Sequence, residues 1–499
     1  MKSRAIIFCA GMGVVLALAS LTQAGVLAVY GGPSYDAATG NGYMGGAATG
    51  INDSGVAVGY ASIYANGAKK GYTTDCYRAV RWDSSGSMEM DCIFQGGAYD
   101  PQDDPFMQTQ AYAINNAGTA VGYSNYIPGG DLRGSRPTSW DAAGNVTQLG
   151  DLGTANDYGD THAAALAINA SGTAVGWASK YQYDDETGLD YRGSRAARWD
   201  ASGTVTELGS IEYGTDSDGY GESQALAVNA SGVAVGWAEK FTPSGSESKG
   251  NRAVRWNADG TAMELDDLGL SSDEHTTLAS ALAVNNAGTA VGKSLKYDGG
   301  EYKGWRAVRW DASGTAATEL GNLGTTASGV TQGQAVAINA AGTAVGQMEK
   351  YDIAHNDKGT RAVRWDAAGT DATELGILGT DGNGWTDAAA EAINTAGIAV
   401  GWANEYLAGS LVGTRAVYWG SNGVAVDLNT LIDPNSGWTL EKATAVSDTG
   451  WIAGIGLYDP DGAGGADAYE RLFSLQIPEP ASMVLLALGG LALLKRRHG

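Results

Sequence analysis

An all-β ring, a β-propeller of four-stranded antiparallel blades, is the fold class this sequence predicts, and three observations carry the prediction. A twelve-residue phrase recurs eight times, a nine-residue phrase recurs between its copies, and each period holds four short apolar stretches separated by turn residues. The first phrase reads ATGINDSGVAVG from Ala48, AYAINNAGTAVG from Ala111, ALAINASGTAVG from Ala165 and ALAVNASGVAVG from Ala225. It returns from Ala281, Ala335 and Ala390 and closes with a degenerate ATAVSDTGWIAG from Ala443. Successive copies lie 63, 54, 60, 56, 54, 55 and 53 residues apart, a period at which repeats build solenoids, propellers or arrays. The second phrase appears as RAVRWDSSG at Arg78, RPTSWDAAG at Arg136, RAARWDASG at Arg195 and RAVRWNADG at Arg252. It continues at Arg306, Arg361 and Arg415 and survives as RLFSL at Arg471, and a TELG-like run usually follows, as in Thr206 to Gly209.

Each stretch is four to six residues long and rich in Val, Ile, Thr and Trp, which suits strands and is too short for helices. Asn-x-x-Gly, as in Asn169 to Gly172, joins the first two stretches, and Asp-x-x-Gly, as in Asp200 to Gly203, joins the last two. Asn, Asp and Gly tolerate the positive φ of tight hairpins, so both junctions read as β-hairpins. Along Ala174 to Ala178 the small Ala174, Gly176 and Ala178 share one face and Val175 and Trp177 the other; small residues suit crowded blades, bulky ones the wedge between them. The eighth repeat lacks a fourth strand, while Val26 to Tyr30 forms an orphan strand ahead of the first. If that strand completes the eighth blade, the ring is clasped by its own two ends and has eight blades. A seven-bladed ring with a cap, or an open β-solenoid, is the alternative.

The two ends read differently. Lys2 and Arg4 precede an apolar segment from Ala5 to Leu21, and Thr22-Gln23-Ala24 offers small residues at a secretory cleavage site. Residues 1–24 are therefore expected to be a signal peptide, 25–476 the repeat domain and 477–499 a separate tail. That tail holds Pro478-Glu479-Pro480, an apolar run from Ala481 to Leu494 and the basic Lys495, Arg496 and Arg497. As a helix the run reaches about 21 Å against a hydrocarbon core of about 30 Å. It is marginal as a permanent anchor, and the basic cluster fits the positive-inside rule.

The formal charge is −24, and loss of the signal and tail would remove five cations and a single acid, Glu479. Such a surface repels phosphate backbones, which excludes nucleic acid as a partner. Four histidines stand in unrelated segments with no H-x-x-H spacing, and no G-x-S-x-G elbow occurs, so the sequence gives no local support for a zinc site or a serine hydrolase. Without the signal, whose Cys9 leaves with it, only Cys76 and Cys92 remain; they flank the hairpin at Asp83 to Gly86. Cross-strand neighbours in an oxidising compartment lie within disulfide reach, so a Cys76–Cys92 bridge is expected, against two buried thiols. No cofactor is expected. Calcium is the one candidate, at Asp216-Ser217-Asp218-Gly219 with Glu222, at Asp459-Pro460-Asp461-Gly462 and at Asp184-Asp185-Glu186, where oxygens are spaced as the ion prefers; solvated hairpin tips are the competing reading. Arg306 with Glu319, and Arg361 with Glu374, fall nearly opposite across a hairpin and read as structural ion pairs. Trp199, Trp256, Trp310, Trp365 and Trp419 read as core between blades. Trp177, Trp237 and Trp402 are core or sugar-stacking.

The A-x-A-I-N-x-x-G-x-A-V-G core followed by a tripeptide and Trp resembles the HAF-repeat family of extracellular proteins, over most of Ala48 to Leu475. That family's His-Ala-Phe is replaced here by Arg252-Ala253-Val254 and Arg306-Ala307-Val308, so no role of the His or Phe carries over. The tail resembles a PEP-CTERM sorting signal. That resemblance implies transient anchoring in an inner membrane through the C-terminal helix, processing by an exosortase-type enzyme near Pro478, Glu479 and Pro480, and a cell-surface or extracellular destination, often in biofilm-forming makers of exopolysaccharide. The expected function is a non-enzymatic scaffold or adhesion module binding envelope polysaccharide or a surface protein. The alternative is a polysaccharide-acting propeller enzyme with loop carboxylates as acid and base.

Overall fold

The computed structural model describes residues 27–36, 38–65, 68–69, 77–93, 108–128, 131–156, 158–184, 188–272, 276–462 and 468–478. Within them the chain forms eight antiparallel sheets, one per repeat. Blade 3 shows the plan, with strands Ala163–Ile168, Ala174–Asp184, Gly188–Trp199 and Val205–Glu207 hydrogen-bonded in chain order. Blades 2, 4, 5, 6, 7 and 8 begin at Thr109, Ser223, Ala279, Gly333, Ala388 and Trp438. Blade 1 begins with Asn41–Ile51 and carries two short extra strands, Tyr35–Asp36 and Ala68–Lys69. First strands of successive blades pack on one another all the way round, blade 8 against blade 1 included. The first strands therefore line the axis and the ring is closed, an eight-bladed β-propeller and neither a capped seven-bladed ring nor an open solenoid.

The turn chemistry works as the sequence implies. Asn169 Oδ1 accepts from the Ser171 and Thr173 N–H groups at 3.1 and 2.9 Å, and Gly172 sits at φ 84°. In the outer hairpin Asp200 Oδ1 accepts from Ser202 and Thr204 at 2.9 and 3.0 Å. Both hairpin turns lie on one face of the disc, and the longer connections lie on the other. The Gly that ends each AVG has a different cause. The first strand bulges between Ala165 and Ala167, which brings its backbone so close that a Cβ on Gly176 would stand 2.0 Å from Ala164 O.

Between blades the packing is tight. Trp199, Trp256, Trp310, Trp365 and Trp419 are all fully buried. Each donates its Nε1 proton to a carbonyl of the preceding blade's exit, Trp199 to Gly150 O at 2.7 Å and Trp365 to Gly321 O at 2.9 Å. Trp82, whose preceding blade is the clasped one, has its Nε1 buried without a partner among the described residues.

The clasp forms, with a shifted strand. Tyr30 pairs with Ser474 and Gly31 with Phe473, so the closing strand is Tyr30–Gly31 where the sequence suggested Val26–Tyr30; Val26 lies outside the described residues. The reason is local: the Leu27 N–H donates to Leu431 O at 2.9 Å, and Leu27 and Val29 pack into the apolar cluster of Phe473, Leu475 and Ile477, which draws the upstream chain toward blade 7. Arg471 secures the strand by donating from Nε and Nη2 to Gly32 O at 3.1 and 2.8 Å. Among the described residues blade 8 thus has no outer hairpin turn, and the described chain begins and ends, at Leu27 and Pro478, on that side of the blade. Ile477 is buried with its N–H on Gly450 O at 3.0 Å, and Pro478 beyond it is exposed.

Candidate functional site

Three sets of repeated side chains couple the blades. Each turn asparagine donates its Nδ2 proton to the carbonyl of its counterpart in the next blade, from Asn52 to Asn115 O at 3.2 Å through Asn229 to Asn285 O at 3.0 Å and Asn394 to Ser447 O at 3.0 Å. Ser447 has no amide to continue the ring. At that seam Thr444 Oγ1 donates to Ala48 O at 2.6 Å, Asp448 N–H to Asp53 Oδ1 at 2.9 Å and Thr449 Oγ1 to Asp53 O at 2.7 Å. The first two repeat contacts made elsewhere, as by Thr49 on Ala111 O and Thr395 N–H on Asp448, and Thr449 on Asp53 O is the contact that the altered turn of repeat eight adds.

The expected Arg–Glu pairs are present, at 3.1 Å for Arg306 with Glu319 and 3.0 Å for Arg361 with Glu374. They are one half of a larger node. The same glutamates take Lys296 and Lys350 at 2.5 and 2.6 Å, and the Arg306 Nη1 and Nη2 groups donate into the next blade, to Thr331 O at 2.6 Å and Gly329 O at 2.9 Å. Where the sequence varies, the node varies coherently. In blade 2 Tyr126 and Gln148 replace Lys and Glu, and Arg136 lies 4.7 Å over the Tyr126 ring. In blade 7 Glu405 takes the lysine position and pairs with Arg415 at 3.0 Å, while Asp427 caps a short 3-10 turn at Leu428–Leu431.

The second Arg of RAVRW received no role from the sequence, yet it is the main bolt on the hairpin-turn face. Arg309 donates to Ala367 O and Gly369 O at 3.0 Å and to Asp366 O at 2.9 Å, all in the outer turn of blade 6. Arg255 repeats this on Ala312, Gly314 and Asp311. Burial holds both guanidinium groups below their ordinary value.

Trp177, Trp237 and Trp402 differ from the sealed column, since each is half-buried near the axis on the long-loop side. Their column continues with Tyr60, Tyr123, Lys293, Gln347 and Ile455. The repeat is broken most sharply between blades 5 and 6. Lys293 takes the Trp position, and Trp305 stands where blades 2, 3, 4, 6 and 7 carry Ser135, Ser194, Asn251, Thr360 and Thr414. A cavity of about 230 Å³ opens there, lined by Lys293, Trp305, Gln332, Gly333, Gln334, Gln347, Glu349 and Thr360. Lys293 Nζ lies 4.8 Å from the Trp305 ring centre. Gln332 is fully engaged, its Oε1 accepting from Trp305 N–H at 3.0 Å and its Nε2 donating to Tyr302 OH at 3.2 Å. Glu349 Oε2 accepts from Gln332 N–H at 2.9 Å and from Tyr351 OH at 3.1 Å.

The remaining expectations fall as follows. Cys92 is partly buried and joined to no cysteine among the described residues, and burial pushes a thiol there above the ordinary value; Cys76, its expected partner, lies outside the described residues. Asp216 spends its Oδ1 on its own turn, accepting from Asp218 and Tyr220 N–H at 2.9 and 2.8 Å, and Asp185 and Glu186 lie outside the described residues. Among the described residues no three His, Cys, Asp or Glu side chains gather to hold a metal, and no helix is long and apolar enough to cross a membrane. Of the sorting motif Pro478 is described and exposed, while Glu479 and Pro480 lie outside the described residues.

Fold and tail together define an exported propeller of the bacterial cell envelope. Residues 476–497 match the PEP-CTERM protein-sorting motif, which supports export through the inner membrane and implies handling by an exosortase-type enzyme. The chain belongs to the family described as "Protein of unknown function (DUF3466)", matched over residues 21–135 and 247–476. No HAF-repeat family matches it, and none of the curated proteins does. Among solved structures it is similar to puromycin hydrolase, at 12% identity and a TM-score of 0.37, covering 85% of this chain and 60% of that one. It is also similar to the β-propeller domain of the Trilobed protease from Pyrococcus furiosus, at 7% and 0.36 over 74% and 89%. A third likeness is the GH74 xyloglucanase from Xanthomonas campestris, at 11% and 0.34 over 89% and 74%.

Proposed function

We propose that this protein is a non-enzymatic binding module of the cell surface whose ligand is an envelope polysaccharide. The observation that supports it best is the half-buried column near the axis. The turn asparagines, the arginines and the sealed Trp column find their partners within the protein, whereas this column presents Tyr60, Tyr123, Trp177, Trp237 and Trp402 partly open, and aromatic faces with polar neighbours suit the flat apolar faces of sugars. Both chain ends leave on the hairpin-turn face, so a tail held in a membrane turns that face inward and leaves the long-loop side outward. Incubating the full chain with a glycan array tests the reading. Binding to one polysaccharide class supports it, and an empty array with a folded protein contradicts it.

A second reading, a polysaccharide-acting enzyme, draws on Glu441. Burial, reinforced by Glu470, pushes its carboxyl above the ordinary value, against an opposing pull from Arg415, as a general acid requires. Depolymerisation by the wild type that Glu441→Gln abolishes would favour this reading over the first.

A further inference from the structure

We infer that the cavity between blades 5 and 6 is a subsite for an acidic glycosyl unit, a uronic acid residue of a longer chain. The inference rests on the polysaccharide reading above and names the chemistry of one of its sites. Four other second-strand lysines, Lys180, Lys240, Lys296 and Lys350, each meet a glutamate within the blade, at 2.5 to 2.8 Å. Lys293 makes no ion pair among the described residues. In a chain of net charge −24, this half-buried cation faces the Trp305 ring and keeps N–H donors that a bound carboxylate would accept in charge-assisted hydrogen bonds. The unused amides point the same way. Gln334 and Gln347 face each other across the first two strands of blade 6, and neither side chain has a hydrogen-bond partner among the described residues.

Trp305 supplies the third element. Its residue is half-buried, its backbone N–H is fixed to Gln332 Oε1, and its ring borders the cavity with Lys293 against it. A pyranose on that ring would set its hydroxyl groups toward the two free amides and its carboxylate toward Lys293. Glu349, already accepting two hydrogen bonds, stays available to a sugar hydroxyl. At about 230 Å³ the cavity lies below the roughly 300–1,000 Å³ of a drug-sized site and suits a single unit of a chain that continues across the open long-loop side. Both distinctive residues depart from the repeat at the same junction, and each is dispensable to the fold, because other blades carry different residues there.

Isothermal titration of the full chain in detergent, with an oligomer of 1,4-linked hexuronate and with its neutral hexose counterpart, tests the inference. The wild type is expected to bind the uronate at least tenfold more tightly. Lys293→Met should erase that preference while leaving the neutral oligomer unchanged, and Lys293→Trp, which restores the residue of blades 3, 4 and 7, should do the same. Trp305→Thr should weaken both oligomers at least tenfold with an unchanged circular dichroism spectrum. Equal binding of both oligomers by the wild type, or a preference that survives both Lys293 variants, overturns the subsite while leaving polysaccharide binding standing. Absence of binding here, together with an empty glycan array, removes the polysaccharide reading itself.

Discussion

Arg309→Met isolates the bolt on the hairpin-turn face. The methionine keeps the apolar stem and removes only the charge and the donors, of which three act at 3.0 Å or less on Asp366, Ala367 and Gly369. Hydrogen bonds to charged groups contribute about 1.5–3 kcal/mol each, but three sharing one guanidinium do not sum to 9. Burial already disfavours that charge, and the abandoned carbonyls belong to exposed turn residues that water can reach. A net of about 1 kcal/mol per bond gives roughly 2–3 kcal/mol. Because adjoining blades are coupled mainly to their neighbours, the loss should be local. Hydrogen exchange by mass spectrometry is the assay, read over Ala372–Glu374, the outer strand of blade 6. At tenfold per 1.4 kcal/mol the amides there should exchange about 30- to 150-fold faster, with blade 3 unchanged. A change under threefold, or one spread evenly round the ring, would refute the reasoning.

Three further outcomes follow from other contacts. Glu319→Gln strands Arg306, 3% exposed, beside a neutral amide and should cost roughly 2 kcal/mol in urea unfolding, whereas Lys296→Met, at a 34% exposed lysine, should cost under about 1 kcal/mol; equal effects would contradict the node. Asp200 is held below its ordinary value of 3.8 chiefly by the Ser202 hydroxyl, with the Thr204 N–H behind it. The unfolded chain then binds more protons, so this contribution is present above pH 3.8 and fades as pH falls through the lower folded value; the gap between wild-type and Asp200→Ala urea midpoints should narrow from pH 5 to 2.5, and a constant gap would exclude the effect. Finally, a native digest without reductant should yield a linked Cys76–Cys92 peptide from exported protein, and two alkylatable thiols would dismiss the bridge.

The fold was legible because the echo in the sequence is an echo of contacts. Asn-x-x-Gly and Asp-x-x-Gly state their turns outright, and the buried Trp column follows from its spacing. The clasp was legible as arithmetic, a missing strand at one end and a spare one at the other, but its register was not, since Leu431 and the apolar cluster that divert Leu27 lie four hundred residues away. Arg309 was hidden for a related reason. Its partners are backbone carbonyls, which carry no residue signature, so a repeated arginine was the only trace. Lys296 was more accessible: Lys180, Lys240, Lys296 and Lys350 recur at one position, and the paired exchanges Tyr126 with Gln148 and Glu405 with Asp427 reveal their coupling. The cavity went unread in the sequence: Lys293 and Trp305 both depart from the repeat, but they become neighbours only when strands two and three are paired.

The central claim is a closed ring of eight blades, fastened where Tyr30 and Gly31 meet Phe473 and Ser474. Electron-microscopic projection of the purified particle down its short axis tests it most directly. A disc with eight-fold blade density around a central channel is expected; a rod, an open arc or seven blades would rule the closed ring out.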